Sequence, residues 1–248
     1  VEIVAPKTQK YKNYRLVLLK NKDSRGPSAT RNLGIYNITE HFDFFGFLDA
    51  DDYLSDSYIF NTLKKLRLST ATIAFGQGIA IDNRKDQLAF SNVPINEGKV
   101  SLNLIAINIV GCPSGVILKN NQISRSVVFD CQLKYLEDYF YYLQLAQLHN
   151  SFLKTKEKYF YQIHDKQSTD KGNIDQLNKQ ISEFVKMSLK LRFGIYTSLL
   201  IWLRATISRY RLSGHFTLIG PLALFVLSIL CPSWTLGRLA MRVKRVSV

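Results

Sequence analysis

The chain has 248 residues with 33 Lys and Arg against 19 Asp and Glu, a formal charge of +14. That length is ample for a core that needs no covalent staples, and three cysteines, Cys112, Cys131 and Cys231, without C-x-x-C or Cys/His ligand spacing exclude a disulfide scaffold and a zinc finger. The charge excludes a nucleic-acid groove as well: ten Lys and Arg and no acid follow Glu183, and the residues between them are apolar rather than aromatic and polar.

From the N-terminus, "VEIVAPKTQKYKNYRLVLLKNK" has no long apolar core, so no signal peptide is expected. Arg15–Leu19 reads as a short strand, "KNKDSRGP" as a loop, and Ser28–Ile38 as a helix with Pro27 near its first turn. Phe42–Leu48 reads as a buried strand that ends in Asp49, Asp51 and Asp52. A Ser55 or Asp56 N-cap then opens a helix to about Leu68, and Thr70–Ile81 reads as a strand. Residues 114–119 ("SGVILK") and Glu157–Ile163 are further strands; Leu136–His149 and Ile174–Leu191 are helices. The alternation predicts an α/β fold, a Rossmann-like, mainly parallel sheet flanked by helices, with functional groups beyond the C-terminal ends of strands.

The tail reads as a separate unit, dividing the chain into 1–172 and 173–248. Phe193–Leu203 and Phe216–Gly237 contain no charged residue. The second is long enough to cross a bilayer, for which about 20 residues are needed, whereas Gly220, Pro221 and Pro232 interrupt it. One span and a kinked or re-entrant pair of interfacial helices are both compatible with this pattern. Flanking arginines, Trp202, Tyr210 and Trp234 predict membrane-associated C-terminal helices.

Four clusters carry chemistry. Three carboxylates at one strand end repel one another, and a hard divalent cation relieves that repulsion through oxygen ligands; a solvated acidic turn is the simpler reading. In "GPSATRNLGI" a helix N-terminus presents free N–H groups, and Arg31 adds a fork of donors suited to a diphosphate. Glu137 and Asp138 open a helix of packing residues, either as favourable acids at a positive helix end or as a general base. His164 follows in "YFYQIHDKQSTD".

Taken in order, "GPSATRNLG", "FLDADDYL", "FDCQLKYLEDYFYYL" and "YFYQIHDKQST" resemble glycosyltransferase family 2, inverting enzymes of the A-type glycosyltransferase fold, over roughly residues 15–170. The resemblance implies that Asp51, helped by Asp49 and with His164 as a further ligand, holds Mn²⁺ or Mg²⁺. It implies that Asp49 and Asp52 lie against the nucleotide-diphospho-sugar donor, a UDP-sugar, that Arg31 and Asn32 serve the donor's diphosphate, and that Asp138, with Glu137, deprotonates the acceptor hydroxyl. The acceptor would be a glycan or lipid-linked, and the place the cytoplasmic face of the cell membrane.

The chain departs from the family pattern in three ways. The family's opening "IIPxYN" strand and "DDGSxD" strand end, which grip the nucleobase, have no counterpart before Gly26. Gln144 stands six residues after Asp138 where Arg or Lys is common, and Thr30 replaces a small residue. The resemblance therefore implies an N-terminally truncated transferase domain. The alternative is a catalytically inactive, membrane-anchored partner in a polysaccharide assembly complex; a metal-dependent phosphohydrolase on the same aspartates is the third reading.

Overall fold

The computed structural model describes residues 2–4, 16–19, 26–38, 41–82, 87–91, 96–149, 151–163, 174–213 and 219–231. Strands β1 (Glu2–Val4) and β2 (Leu16–Leu18) form an antiparallel pair of their own. Helix α1 (Gly26–Tyr36) starts at Gly26, whose φ of +82° only glycine adopts readily. Strand β3 (Phe44–Gly46) leads to the aspartates, followed by β4 (Tyr53–Leu54), α2 (Tyr58–Leu68) and β5 (Ile73–Asp82). Strands β6 (Gln87–Ser91) and β7 (Gly98–Val100), helix α3 (Leu102–Ala106) and a 3-10 turn at Pro113–Gly115 precede β8 (Val116–Lys119). Helices α4 (Gln122–Ser126) and α5 (Glu137–His149), strand β9 (Phe152–Ile163) and helices α6 (Ile174–Lys190), α7 (Ile195–Ser213) and α8 (Ile219–Leu230) complete the order.

Seven strands form one sheet in the order β3-β8-β5-β9-β4, with β6 on β5 and β7 on β9. The mainly parallel sheet expected from the alternation does not form. Among the described strands only β5 and β9 pair in parallel; every other pairing is antiparallel. The physical reason lies in β8. It is antiparallel to both β3 and β5, so those two strands run the same way, as a β3-α2-β5 crossover requires, but with β8 inserted between them. A short apolar run such as "VILK" is compatible with either direction.

Side chains alternate across this sheet. Ile73, Phe75, Val116 and Leu118 join Tyr139, Tyr142, Phe184 and Leu200 in the main core, while Ala74, Ile117 and Tyr159 pack with Tyr58 and Leu66 of α2 on the opposite face. Helix α5 is buried along nearly its whole length, from Tyr139 to Ala146, so it carries no clear apolar stripe. Side chains from both sides of residue 172 share the main core, since Ile181, Phe184 and Leu203 lie in it with the sheet residues. No helix among the described residues is long and apolar enough to cross a membrane. The span considered for Phe216–Gly237 is therefore not seen in the part described, Ile219–Cys231: α8 is 12 residues long and buries Ala223 and Leu227 against the protein.

The long strand β9 is irregular where it matters for α2. Its register with β5 shifts between Phe75 and Gln77, where Gly76 lies opposite a bulge that contains Glu157. A Cβ on Gly76 would stand 2.5 Å from the Glu157 carbonyl oxygen and 2.6 Å from Tyr58 Oη. The bulge turns Glu157 toward the start of α2. Ser57 Oγ donates to its carboxylate at 2.7 Å and Asn61 Nδ2 at 3.0 Å. The N-cap is thus Ser57 rather than Ser55 or Asp56, with no side-chain capping bond of its own.

Candidate active site

Three elements meet at one guanidinium. Arg31 projects from the second turn of α1 and is 11% exposed. Its Nη2 donates to both oxygens of Asp49 at 2.9 Å, and its Nη1 donates to Glu137 Oε1 at 3.4 Å. The Phe129 ring lies 5.3 Å from its central carbon, adding a cation–π contact. Burial alone would lower the guanidinium's proton affinity, but Asp49, Glu137 and Asp138 raise it above the ordinary value, so it stays charged.

Asn32, the neighbouring residue of the motif, faces the other way. Its amide donates to the Phe129 carbonyl at 2.8 Å and its oxygen accepts from the Phe129 N–H at 2.8 Å. Both ends of this buried side chain clamp the segment before α5, and the clamp sets Phe129 beneath Arg31.

The carboxylates on the strand side are held by a turn outside the four motifs. Ser114 Oγ accepts from the Asp49 N–H at 3.1 Å and donates in a short bond to Asp52 Oδ2. Cys112 Sγ donates to the same oxygen at 3.4 Å, and the Gln162 N–H donates to Asp52 Oδ1 at 3.3 Å. Burial, and then the Asp49 charge, push the Asp52 carboxyl up. A Gly-Cys-Pro-Ser-Gly turn ahead of an apolar strand was the available signal for Ser114, since polar side chains at strand ends gather at such sites. Asp51 is exposed on the turn and stands outside the group formed by Asp49, Asp52 and Cys112, whose ligand atoms lie within 4.8 Å of one another. His164 lies outside the described residues; β9 meets Asp52 two positions before it, at Gln162.

These donors fit a hard divalent cation. Such ions take one or two carboxylates and fill the remaining positions with water and phosphate oxygens, and Asp49 keeps accepting capacity beyond the two Arg31 bonds. Burial and the Asp52 charge raise the Cys112 thiol, and a hard divalent cation takes oxygen in preference to sulfur. Asp49 and Asp52 would be the oxygen donors.

On the helix side, burial raises both carboxyls of the Glu137–Asp138 pair. Glu137 is pushed up to about 7, by burial first and the Asp138 charge second. Asp138 is raised by burial, against the opposing bond from the Tyr139 N–H to its Oδ1 at 2.6 Å. Arg204 of α7 adds its charge on Asp138 while its Nε donates to the Ile107 carbonyl at 3.1 Å. An open cleft of about 570 Å³ runs between α1 and β3, lined among others by Pro27, Thr30, Ile35 and Phe47, with Arg31 and Asp49 in its wall.

This constellation can do two things. A cation held by Asp49 and Asp52, together with Arg31, presents positive charge to a phosphate, and a carboxyl pair raised by burial, with Glu137 at about 7, suits a base.

Comparison with known proteins places the chain. A model described as "Glycosyl transferase family 2" matches residues 1–118. The chain is 26% identical over 163 residues to the "Minor teichoic acid biosynthesis protein GgaA" of Bacillus subtilis (strain 168), over 63% of this chain and 35% of that protein. It superposes on the crystal structure of S. aureus TarS 1-349 in complex with UDP-GlcNAc with a TM-score of 0.60 at 12% identity, covering 86% of this chain and 60% of that one. The second likeness is one of fold, an α/β sheet flanked by helices. The chain spans about a third of the curated relative's length. Its ordered motifs meet at Arg31 and the family match covers the first two of them, so over residues 1–118 the chain is similar to glycosyltransferase family 2.

Proposed function

We propose that the chain moves a sugar from a nucleotide-diphospho-sugar, a UDP-sugar, to a hydroxyl of a polysaccharide or lipid-linked acceptor, with inversion, in cell-surface polysaccharide biosynthesis at the cytoplasmic face of the cell membrane. One observation carries this reading: a single guanidinium joins Asp49 to Glu137, 88 positions later in the chain, and so unites the phosphate side of the site with its acidic side. The name of the relative in teichoic acid biosynthesis and the UDP-GlcNAc in the TarS structure support the substrate class.

In this reaction the acceptor oxygen attacks the anomeric carbon from the face opposite the diphosphate. One C–O bond forms as the other breaks, and the configuration inverts. Asp138 takes the hydroxyl proton at the oxygen not held by the Tyr139 N–H, and Glu137 keeps the pair's proton affinity near the working pH. Arg31 offsets the negative charge gathering on the leaving diphosphate. Asp49 and Asp52 would hold Mn²⁺ or Mg²⁺, with Asp51 on the exposed lip and His164 as the further ligand the motif implies; the bound ion supplies electrostatic stabilisation of the same leaving group. Asn32 acts through the Phe129 segment rather than on the donor.

Calorimetry with UDP tests this. UDP should bind the full chain in the presence of Mn²⁺ and not in its absence, and Asp52→Asn should weaken it at least tenfold. No UDP binding under either condition would overturn the transferase reading and favour a non-catalytic partner.

A further inference from the structure

The C-terminal helices give only one side to the core. Leu200, Leu203 and Ile207 of α7 and Leu227 of α8 are almost wholly buried. The opposite side of each helix is apolar as well. On α7, Ile195, Leu199 and Trp202 are 92%, 39% and 46% exposed; on α8, Leu222, Phe225 and Ile229 are 61%, 63% and 63% exposed. Steps of three and four residues put each trio on one stripe. The two helices pack together, and Tyr196 Oη donates to the Leu230 carbonyl at 2.9 Å, tying the start of α7 to the end of α8. A hairpin pinned there runs the two helices antiparallel, with Ile195 at the same end as Ile229 and Trp202 toward the end that holds Leu222. Two adjacent rows of large apolar side chains form the kind of contiguous patch that marks an interaction surface.

The charge of the C-terminal quarter argues for the partner. No Asp or Glu follows Glu183, whereas ten Lys and Arg do. Lys190 and Arg192 stand exposed at the turn that leads into Ile195. A second copy of this face would set these cations against like charge; anionic lipid headgroups supply the opposite charge. Trp202 has the amphipathic ring that settles at a headgroup boundary. Neither helix has the length and apolarity to cross a bilayer. We propose that the α7–α8 hairpin is a membrane-docking face that lies in the plane of an anionic bilayer with the Ile195–Leu199–Trp202 and Leu222–Phe225–Ile229 stripes inserted. It gives the proposed lipid-linked acceptor a surface on which to meet the site, since α7 also carries Arg204, whose charge acts on Asp138. The docking itself stands apart from the transferase reading, because its test uses neither donor nor acceptor.

The test is co-sedimentation of the full chain with vesicles of pure phosphatidylcholine and of equal parts phosphatidylcholine and phosphatidylglycerol. Binding is expected to the anionic vesicles, weakening as salt is raised. Trp202→Ser and Phe225→Ser should each weaken it about tenfold, the scale of one large apolar side chain returned to water. Neither side chain belongs to the core, so the variants should melt with the parent, and circular dichroism checks this. In a Trp234→Phe background Trp202 is the remaining tryptophan, and its emission should shift to the blue on adding anionic vesicles. Absence of binding to anionic vesicles at low salt, equal binding to both vesicle types, or undiminished binding by the two serine variants would each overturn the proposal. So would a dimer, seen by light scattering, that the same variants dissolve without any vesicle binding.

Discussion

Replacing Arg31 by Met removes the charge while keeping a stem of similar length. The wild-type guanidinium is 11% exposed and holds Asp49, 38% exposed on its side chain, and Glu137, 16% exposed. Breaking a buried ion pair costs about 3–5 kcal/mol because a charge is left unpaired. Asp49 is more than a third exposed, so water recovers part of that, and a net loss of about 2–3 kcal/mol follows. In a domain of this size that corresponds to a fall in Tm of about 5–10 °C. The loss also has a sign with pH. Arg31 lowers the Glu137 proton affinity, so its removal lifts that folded-state value further above the unfolded one. A carboxyl raised on folding favours the folded state while protonated, and this contribution fades as pH rises through its folded-state value. The deficit of Arg31→Met should therefore be smaller at pH 5 than at pH 8, the Asp49 part persisting at both. Urea unfolding at the two pH values measures it directly. An equal deficit at both, or none at either, would refute the electrostatic account of Arg31 and leave only its packing on Phe129.

Other consequences are checked with single variants. Asn32→Ala strands both backbone groups of Phe129 and should cost about 2–4 kcal/mol in urea unfolding, with a loss of UDP affinity that follows from the displaced Phe129 segment. Gly76→Ala drives a methyl into the Glu157 carbonyl and Tyr58 Oη and should cost about 1–3 kcal/mol by thermal melting, the usual range for an overpacked core. Asp138→Asn should lower kcat about 10²–10⁴-fold, the usual share of a general base. Transfer should rise with pH along a limb near 7 in the parent, where Glu137 titrates, and Glu137→Gln should move that limb to lower pH by removing a negative charge coupled to Asp138.

Much of this architecture is legible in the chain because local rules decide it. Helix α5 begins at Glu137, and acids at a helix start answer to its dipole. Helix α2 sits where an amphipathic pattern puts it, and β3 lies within the aromatic run but is shorter, Phe44–Gly46, and only half-buried, with Phe42 and Leu48 exposed. Strand β9 starts at Phe152 rather than Glu157, because Lys154, Thr155 and Glu157 are polar residues buried at the bulge and break the apolar pattern that marks a strand. In Phe193–Leu203, absence of charge marks burial without saying against what. Leu200 and Leu203 go to the protein core while Ile195, Leu199 and Trp202 remain exposed, a division set by the neighbours of α7 rather than by its own residues.

At the site, the difference between what the motifs name and what the fold assembles comes from one strand. Arg31, Asp49 and Glu137 can be chosen from their motifs, since Asp49 follows a strand end, Glu137 opens a helix and Arg31 lies one turn into another. Ser114 and Cys112 cannot, because they reach Asp52 only when β8 enters between β3 and β5 in the antiparallel sense. That insertion carries the Pro113–Gly115 turn to the end of β3 where the aspartates lie. It also selects between the aspartates: the turn's hydroxyl and thiol reach Asp52, Gln162 of β9 meets its other oxygen, and Asp51, one residue earlier, points to the exposed side. The same antiparallel strand that defeats the parallel-sheet expectation is thus what shields Asp52 from water, raises its carboxyl by burial, and leaves Asp49 and Asp52 as neighbouring oxygen donors beside Arg31.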